Sequence, residues 1–415
     1  MNVVIIGGGV GGLHAAITAK AQGADVTVIT NETKGTYRRS GLPDIVAGYA
    51  TLESITVPYG KETEGIEFLR GETATEIDII DQTVTLKSGK KVRYDSLILA
   101  TGSRASMPNI DGVDSPYVCT LKTADDLPRL LDVKDSAVVV GAGFVALMTA
   151  EGYAKHRVKT TLMVRSRILR AAIEPEIADI IETKLREHGI DIVKGVEPEH
   201  IIGNRVITEK GELEASRIVL ATGITLNTEL AKKAGLKVDR AGIIVDEHMR
   251  TNVSNVYACG DCAAVVDAIT GRNINIPLGS MAVKGAKVAG ANAVGGSESI
   301  RFVRMQNEEL FGLNINSIGY TLDEAKAFDQ NARRVELKGA YVVVDSSSIV
   351  VGASWLFSEF YAHYGNILYE SIGKPLSYVE ELFAHPELKI PELNKAQELG
   401  IENIRETLPQ KEAKK

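Results

Sequence analysis

The sequence begins with a short apolar run that breaks into glycines, and this stretch constrains the fold more than any other. Val3 to Ile6 are β-branched, which predicts a buried strand, and the alanine-rich sequence after Gly12 predicts a helix. Gly7, Gly9 and Gly12 stand between them in the spacing G-x-G-x-x-G. The first glycine permits the tight turn, the second lets a pyrophosphate approach the backbone, and the third lets helix and strand pack closely. We predict a dinucleotide site at a helix N-terminus, with an ordinary strand-to-helix turn as the alternative.

The same pattern recurs later in the chain. The apolar run Val138 to Val140 is followed by Gly141 and Gly143, and Ala146 takes the place of the third glycine, which the motif tolerates. This internal repeat is more specific than either copy alone. Two nucleotide sites in one chain predict one bound cofactor and one that exchanges.

The residues that follow each motif bear on which nucleotide is bound. A ribose-binding carboxylate is expected about twenty residues beyond the last glycine. Glu32 stands there after the first motif, and a solvated loop glutamate is the alternative. After the second motif, the strand is followed by Arg165, Arg167 and Arg170 with no acidic residue among them. Because arginine pairs with a 2′-phosphate, we predict NADPH, with NADH less favoured.

Three further apolar runs end in small polar sequences. Two of them end in Ala-Thr-Gly, which places Thr101 and Gly102 after the first and Gly223 after the second. The third ends in Gly260-Asp261, where the aspartate can accept hydrogen bonds from sugar-alcohol hydroxyls. Gly260 would allow the close approach that such a contact needs.

Cys259 and Cys262 form a C-x-x-C pair beside this aspartate. The spacing is compatible with redox or metal chemistry. A metal site needs further ligands, and none stands nearby with suitable spacing. We therefore predict small buried thiols packed beside a cofactor, and no metal site.

The loop that contains Arg38 and Arg39 is too glycine-rich and charged to form core. The two arginines could stabilise a negatively charged reduced cofactor or hold an anionic substrate. Exposed arginines on a mobile loop are the alternative.

Composition excludes several classes of function. The net charge is −7 and no Lys/Arg-rich block lies outside the last few residues, which argues against nucleic acid as a partner. No apolar run approaches the ~18 residues of a membrane span, and we see no charged leader that would indicate a signal peptide. Three cysteines do not make a disulfide framework and fit a reducing cytoplasm, so we expect a soluble, cytoplasmic protein.

The composition changes from about residue 301. An aromatic-rich pattern with helical spacing predicts a helix that packs into the core or forms a dimer interface. Its members are Leu356, Phe357, Phe360, Tyr361, Tyr364 and Leu368.

Together these motifs resemble the FAD-dependent pyridine nucleotide-disulfide oxidoreductases, nearest to the branch of coenzyme A-disulfide reductases and archaeal NADH oxidases. The resemblance extends to about residue 395. It implies an α/β fold with two Rossmann-like nucleotide-binding domains and a C-terminal α+β dimerisation domain. The FAD-binding domain would comprise 1–112 and 240–300, the NAD(P)H-binding domain 113–239, and the C-terminal domain 301–415. The resemblance also implies a homodimer, FAD at the first glycine motif, and cofactor contacts from the two Ala-Thr-Gly strand ends and from Asp261.

The departures from this family all concern residues of its redox chemistry. The branch carries its redox cysteine in a Cys-Gly-Leu-Pro-Tyr type of motif, and here Ser40 replaces the cysteine and Asp44 the tyrosine. A serine cannot form a disulfide. His385, before a proline, resembles a C-terminal histidine of another branch that acts across the dimer, but its partner glutamate is Ile390 here. Met148 stands where the second motif usually has a glutamate. Ser40, Arg39 and His385 are therefore the candidate catalytic residues.

We predict a flavoenzyme that passes hydride from NADPH to FAD and then to an acceptor other than a protein disulfide. The acceptor could be an electron-transfer protein, a quinone, oxygen or a small substrate. Tyr37-Arg38 resembles a loop of FAD-containing ferredoxin and rubredoxin reductases, which lack redox thiols. A disulfide reductase whose cysteine is changed to serine is one alternative, and a non-enzymatic flavin-bound subunit of a complex is another.

Overall fold

The computed structural model describes residues 1–357 and 367–384, and these residues form two compact units. The first unit contains Met1–Ile168 and Leu185–Phe302, and the second contains Leu169–Lys184 and the described residues from Val303 onward. No helix within the described ranges is long and apolar enough to cross a membrane.

Helices and strands alternate around both glycine loops, and runs of consecutive strands make up much of the rest of the described chain. Up to residue 112 they are β1 (Asn2–Ile6), α1 (Val10–Ala21), β2 (Asp25–Thr30), α2 (Leu42–Val46), α3 (Leu52–Ile55), β3 (Ile66–Arg70), β4 (Ala74–Asp78), β5 (Thr83–Leu86), β6 (Lys91–Arg93), β7 (Ser96–Leu99) and β8 (Ser103–Ala105). From residue 113 to 239 they are β9 (Val118–Cys119), α4 (Leu127–Leu131), β10 (Ser136–Val140), α5 (Phe144–Lys155), β11 (Lys159–Val164), α6 (Pro175–Glu187), β12 (Ile190–Lys194), β13 (His200–Ile202), β14 (Arg205–Thr208), β15 (Gly211–Glu214), β16 (Arg217–Leu220), β17 (Ile224–Leu226), α7 (Glu229–Lys233) and β18 (Val238–Asp239).

Strands predominate in the later part of the described chain. From residue 240 to 300 the elements are β19 (Gly242–Ile244), β20 (Val256–Ala258), β21 (Ala263–Val266), β22 (Asn273–Ile274) and α8 (Gly279–Asn292). Beyond residue 300 they are β23 (Met305–Leu310), β24 (Leu313–Gly319), α9 (Leu322–Ala325), β25 (Arg333–Leu337), β26 (Ala340–Val344), β27 (Val350–Phe357) and α10 (Leu376–Ala384).

Two parallel five-stranded sheets form the centre of the first unit. Their strand orders are β20-β7-β1-β2-β3 and β12-β11-β10-β16-β9, and neighbouring strands run in the same direction. The β-branched runs at β1 and β10 are buried because each lies between two other strands. β20 comes from residues after 240 and joins the first sheet beside β7. The predicted α/β fold with two Rossmann-like sheets is confirmed.

Smaller sheets surround these two. β4-β5-β6 and β13-β14-β15 are antiparallel, and β18-β19-β21-β22 is mixed. β8 and β17 pair with each other, so the segments that follow Gly102 and Gly223 run side by side in opposite directions.

The second unit contains an antiparallel sheet in the order β23-β24-β27-β26-β25. Its core includes the fully buried Trp355, which lies edge-on to the ring of Tyr369. The predicted helical pattern is wrong where the structure describes its start, because Leu356 and Phe357 end strand β27 opposite Ile315 and Asn314. β27 pairs on both sides, and this pairing outweighs a helical spacing of apolar residues. Phe360, Tyr361 and Tyr364 lie outside the described residues.

The carboxylate of Glu174 attaches Leu169–Lys184 to the rest of the second unit. Its Oε1 accepts a hydrogen bond from the backbone N–H of Leu322 at 2.8 Å, and its Oε2 lies 3.0 Å from Nη1 of Arg334. The backbone N–H of Glu174 donates to Ser354 Oγ at 3.2 Å. Glu174 is only 3% exposed, so this charge depends on its partners.

Removing the guanidinium of Arg334 is expected to destabilise the second unit. Arg334→Ala leaves Glu174 buried with one neutral donor to its carboxylate, which costs about 3 kcal/mol. Arg333→Ala is the control, because Arg333 is exposed and bonds only Ser348 Oγ among the described contacts. Denaturant unfolding should separate the two variants. Equal shifts of the denaturant midpoint in the two variants would contradict a stabilising role for the pair of Glu174 and Arg334.

Candidate functional site

The first glycine loop leaves no room for side chains on its outer glycines. Gly7 has φ +118°, which disfavours any other residue, and a Cβ there would overlap the carbonyl oxygen of Ala100. A Cβ on Gly12 would overlap the carbonyl oxygen of Gly7. Gly9 is the N-cap of α1, which begins without an acidic residue in its first turn. The loop is thus a backbone cradle whose free N–H groups suit phosphate.

Glu32 and Arg39 form an ion pair beside this loop. Arg39 Nη2 donates to Glu32 Oε1, and both side chains are about one-third exposed or less. A Cβ built on Gly9 would lie 3.2 Å from Arg39 Nη1, so the guanidinium lies over the loop. The Nε of Arg39 is buried and has no hydrogen-bond partner among the described residues. The cofactor-binding and catalytic roles predicted for Arg39 both stay predictions.

Two hydroxyl groups, those of Thr36 and Tyr59, also hold the first glycine loop. Thr36 Oγ1 donates to the carbonyl oxygen of Gly8 at 2.7 Å and lies 3.0 Å from the hydroxyl of Tyr59. Neither residue was predicted, because a single threonine or tyrosine in a loop has no distinguishing sequence signal.

Asp261 lies at the carboxyl end of the same sheet, in a 3₁₀ turn that begins at Gly260 with φ +76°. Its Oδ2 accepts hydrogen bonds from Ser103 Oγ at 2.6 Å and from Lys122 Nζ at 3.0 Å. Its Oδ1 has no hydrogen-bond partner among the described residues, so it can accept one from a ligand hydroxyl. Sequence reasoning missed Ser103 and Lys122, because both are remote from Asp261 along the chain.

The N-terminus of α8 lies at the same place. α8 packs against α1 and against the turn at Gly260. A Cβ on Gly11 or Gly260 would lie 3.8 Å from the Cβ of Ala282, in the first turn of α8. α8 begins with no acidic residue and no side-chain cap. Two helix N-termini therefore converge on the cradle, and both favour negative charge.

The first Ala-Thr-Gly strand end is bound to Asn227, which lies four residues beyond Gly223 of the second. Thr101 Oγ1 donates to the carbonyl oxygen of Asn227 at 2.6 Å, and Asn227 Nδ2 donates to the carbonyl oxygen of Thr101 at 2.9 Å. The backbone N–H of Asn227 donates to the carbonyl oxygen of Gly102. A Cβ on Gly223 would meet nothing within 4 Å. The Thr101 hydroxyl therefore already has a structural partner, while Gly223 is in open space.

The second glycine loop has the same form as the first. A Cβ on Gly141 would overlap the carbonyl oxygen of Ala221, so this residue must be glycine. Gly143 is the N-cap of α5, and a Cβ there would meet nothing within 4 Å. The space above Gly143 is therefore open for a pyrophosphate. Ala146 is fully buried, so its methyl group fits where the first loop has Gly12.

The three arginines predicted for the second nucleotide fall into different units. Arg165 directly follows β11 in the first unit, with Nη1 3.1 Å from Oε1 of Glu197. Arg167 also belongs to the first unit. Arg170 belongs to the second unit, where its Nε lies 3.4 Å from Asp323 Oδ2. The proximity of Arg170 to the other two stays a prediction.

Ser40 is exposed in a 3₁₀ turn, Arg39–Gly41, directly before α2. The side chain of Ile55 packs directly against this turn, because a Cβ on Gly41 would lie 2.5 Å from Ile55 Cγ2. The α2 segment packs on α5, where a Cβ on Gly152 would lie 2.9 Å from the backbone nitrogen of Ala47. Ser40 is thus presented to solvent by a well-packed segment. His385 lies outside the described residues.

All three cysteines of the chain lie in the described residues and are buried. Cys259 and Cys262 are 0% exposed and Cys119 is 5% exposed. Burial raises the pKa of all three thiols, to about 12 for Cys119. Cys262 Sγ donates to the carbonyl oxygen of Cys259 at 3.3 Å, so the thiol is engaged with backbone. The described residues contain no group of three His, Cys, Asp or Glu side chains placed to hold a metal ion.

A family model described as pyridine nucleotide-disulphide oxidoreductase matches residues 1–293, which contain both glycine loops. The chain belongs to this family. It is therefore an FAD-dependent NAD(P)H oxidoreductase, and this membership favours an enzyme over a non-enzymatic subunit.

Relatives with different acceptors in their names are similar to the chain. An NADH oxidase of Methanocaldococcus jannaschii is 31% identical over 81% of this chain and 79% of its own length. A rubredoxin-NAD(+) reductase of Pseudomonas putida is 27% identical over 79% of this chain and 88% of its own length. Among solved structures, an NAD-dependent persulfide reductase from A. fulgidus is 30% identical with a TM-score of 0.84, covering 91% of this chain and 78% of that one.

The residues of the first loop fit FAD. The cradle that excludes Cβ atoms at Gly7 and Gly12 gives a pyrophosphate direct access to backbone N–H groups. The Oδ1 of Asp261 suits a hydroxyl of the FAD sugar-alcohol chain. The pair of Glu32 and Arg39 suits a ribose and phosphate of FAD. These candidate groups are distributed along the chain from Gly7 to Asp261.

Gly12→Ala is expected to remove most of the bound FAD, because the added methyl group pushes α1 away from β1. Gly143→Ala should keep its flavin, because the added Cβ there meets nothing within 4 Å and lies in the other loop. The ratio of flavin to protein absorbance after purification measures the effect, and circular dichroism checks that both variants fold. A folded Gly12→Ala protein with full flavin content would contradict the cradle.

Proposed function

We propose that this chain oxidises NADPH and reduces its acceptor directly from bound FAD, without a disulfide of its own. The observation that carries this proposal is the state of its thiols. Ser40 occupies the position of the family's redox cysteine, and every cysteine of the chain is buried with a raised pKa. Because the thiolate is the reactive species, none of these thiols can serve the acceptor. FAD, when bound, accepts the hydride of the nicotinamide and passes the electrons on.

The protein's part in the reaction is binding and orientation. Gly7, Gly9 and Gly12 would present backbone N–H groups to the FAD pyrophosphate, and Asp261, held by Ser103 and Lys122, would accept a hydrogen bond from the sugar-alcohol chain. On the other sheet, Gly141 and Gly143 would hold the nicotinamide nucleotide at the N-terminus of α5.

NADPH is our preferred donor because arginine follows β11 where an acid would select NADH. Arg165 and Arg167 would pair with the 2′-phosphate, and the predicted role of Arg170 stays a prediction. The homodimer and the action of His385 across it also stay predictions.

The acceptor would react where Ser40 is exposed. Electron-transfer proteins, quinones, oxygen and small substrates fit this proposal, because none of them needs a protein thiol. The similarity to a rubredoxin-NAD(+) reductase supports a small electron-transfer protein, as does the predicted resemblance of the Tyr37-Arg38 loop to such reductases.

Turnover with NADPH is expected to be insensitive to thiol alkylation. Native protein treated with iodoacetamide at pH 8 should incorporate no label and keep its rate, because at pH 8 a thiol with a pKa of about 12 has only ~1 part in 10⁴ as thiolate. Ser40→Cys is the positive control, since it places a thiol in an exposed turn and should be labelled once. Loss of wild-type turnover after alkylation would contradict a thiol-independent route.

A disulfide or persulfide reductase with its cysteine changed to serine is the second candidate. The 30% identity to a persulfide reductase structure favours it. If Ser40→Cys reduces coenzyme A disulfide with NADPH and the wild type does not, the chain retains a disulfide-substrate site. If neither protein reduces it, the result counts against this candidate.

Arg165→Glu is expected to slow the reduction of the flavin by NADPH about tenfold or more, because a carboxylate repels the 2′-phosphate. Reduction by NADH should change much less. Anaerobic stopped-flow absorbance at about 450 nm, with both nucleotides in parallel, measures the two rates. Equal losses with both nucleotides would argue against a 2′-phosphate contact at Arg165.

A further inference from the structure

The carboxyl ends of β11 and β12 lie side by side at the edge of the second sheet. The two strands are parallel, and Val164 pairs with Lys194 at their ends. The backbone N–H of Gly195 donates to the carbonyl oxygen of Val164 at 2.9 Å. This bond ties the loop after β12 to the residue directly before Arg165. β10, which leads into the second glycine loop, is the next strand on the other side of β11.

Glu197 lies in this tied loop, and its carboxylate reaches Arg165. Arg165 Nη1 and Glu197 Oε1 are 3.1 Å apart, and the two side chains are 78% and 63% exposed. Lys210 Nζ also donates to the carbonyl oxygens of Lys194 and Gly195, at 3.4 and 3.3 Å. The loop that carries Glu197 is therefore held in place at its start.

This position has a consequence for nucleotide choice. A Rossmann site that selects NADH has a carboxylate at the end of the strand after the glycine-rich helix, to accept the ribose 2′-hydroxyl. Here that strand end carries Arg165, and a carboxylate comes instead from the loop after the neighbouring strand. An exposed ion pair is worth little to stability, so either partner can exchange the other for a ligand group.

We propose that Arg165 and Glu197 together recognise the group at the 2′ position of the nucleotide's adenosine ribose. Glu197 accepts a hydrogen bond from the 2′-hydroxyl of NADH, and Arg165 pairs with the 2′-phosphate of NADPH. Glu197 thereby limits the preference for NADPH and lets the enzyme use both donors. This inference rests on the proposed binding of a nicotinamide nucleotide at Gly141 and Gly143.

The charges explain why the two nucleotides respond in opposite directions. The carboxylate of Glu197 repels a 2′-phosphate and offsets the charge of Arg165, whereas it attracts a hydroxyl proton. Because both groups are exposed, added salt should reduce the effect on the phosphate more than the effect on the hydroxyl. Neutralising Glu197 should therefore separate the two affinities.

The test uses holoenzyme and two probes without nicotinamide, ADP and adenosine 2′,5′-bisphosphate, titrated by calorimetry. Glu197→Gln should bind the bisphosphate about three- to tenfold more tightly at low salt and ADP more weakly by a similar factor. Arg165→Gln should show the reverse preference. Glu199→Gln is the matched control, because Glu199 is exposed in the same loop and should leave both affinities unchanged. The ratio of kcat/KM for NADPH and NADH should follow the same order.

Two different failures can be told apart. If wild-type holoenzyme binds both probes and Glu197→Gln leaves their ratio unchanged, the role of Glu197 is refuted while nucleotide binding stands. If wild-type holoenzyme binds neither probe, nucleotide binding at the second glycine loop fails, and the role of Glu197 fails with it.

Discussion

The close approach of backbone to backbone at the end of β1 is the contact on which the site depends. The carbonyl oxygen of Gly7 occupies the space that a Cβ on Gly12 would need, so α1 can begin only where these two residues lack side chains. This contact places the free N–H groups at the start of α1 beside the loop, in an arrangement that suits a pyrophosphate. The second sheet repeats the requirement for glycine at Gly141, but its third position holds Ala146, whose methyl group is buried, so only the first loop excludes a side chain there.

Parallel strands then bring distant residues to the same edge. β20 joins the first sheet beside β7, which places Asp261 near Ser103 and Lys122 although the three are far apart in sequence. The same geometry places Glu197 beside Arg165 on the second sheet. In both cases a carboxylate is paired with a cation while retaining access to a ligand.

Three of the predicted arginines pair with a carboxylate. Arg39 pairs with Glu32, Arg165 with Glu197, and Arg170 with Asp323. In each pair the carboxylate offsets the charge of the guanidinium. The thiols of Cys259 and Cys262 carry no such charge, because burial raises their pKa in and directly before the turn that carries Asp261. The candidate site therefore contains paired charges and unreactive sulfur.

The sequence by itself determined the local features, because glycine spacing and β-branched runs act over a few residues. Gly7, Gly9, Gly12, Gly141 and Gly143 could be assigned to strand-to-helix turns for this reason, and the absence of a cysteine at Ser40 is a matter of sequence alone. Leu356 and Phe357 show the limit, since pairing of β27 on both sides outweighed an apolar spacing that favours a helix. Only the tertiary structure decided which charged side chains pair with each other. The partners of Asp261 and Arg165 come from other strands, and strand order, which depends on long-range pairing, is not encoded in any short motif.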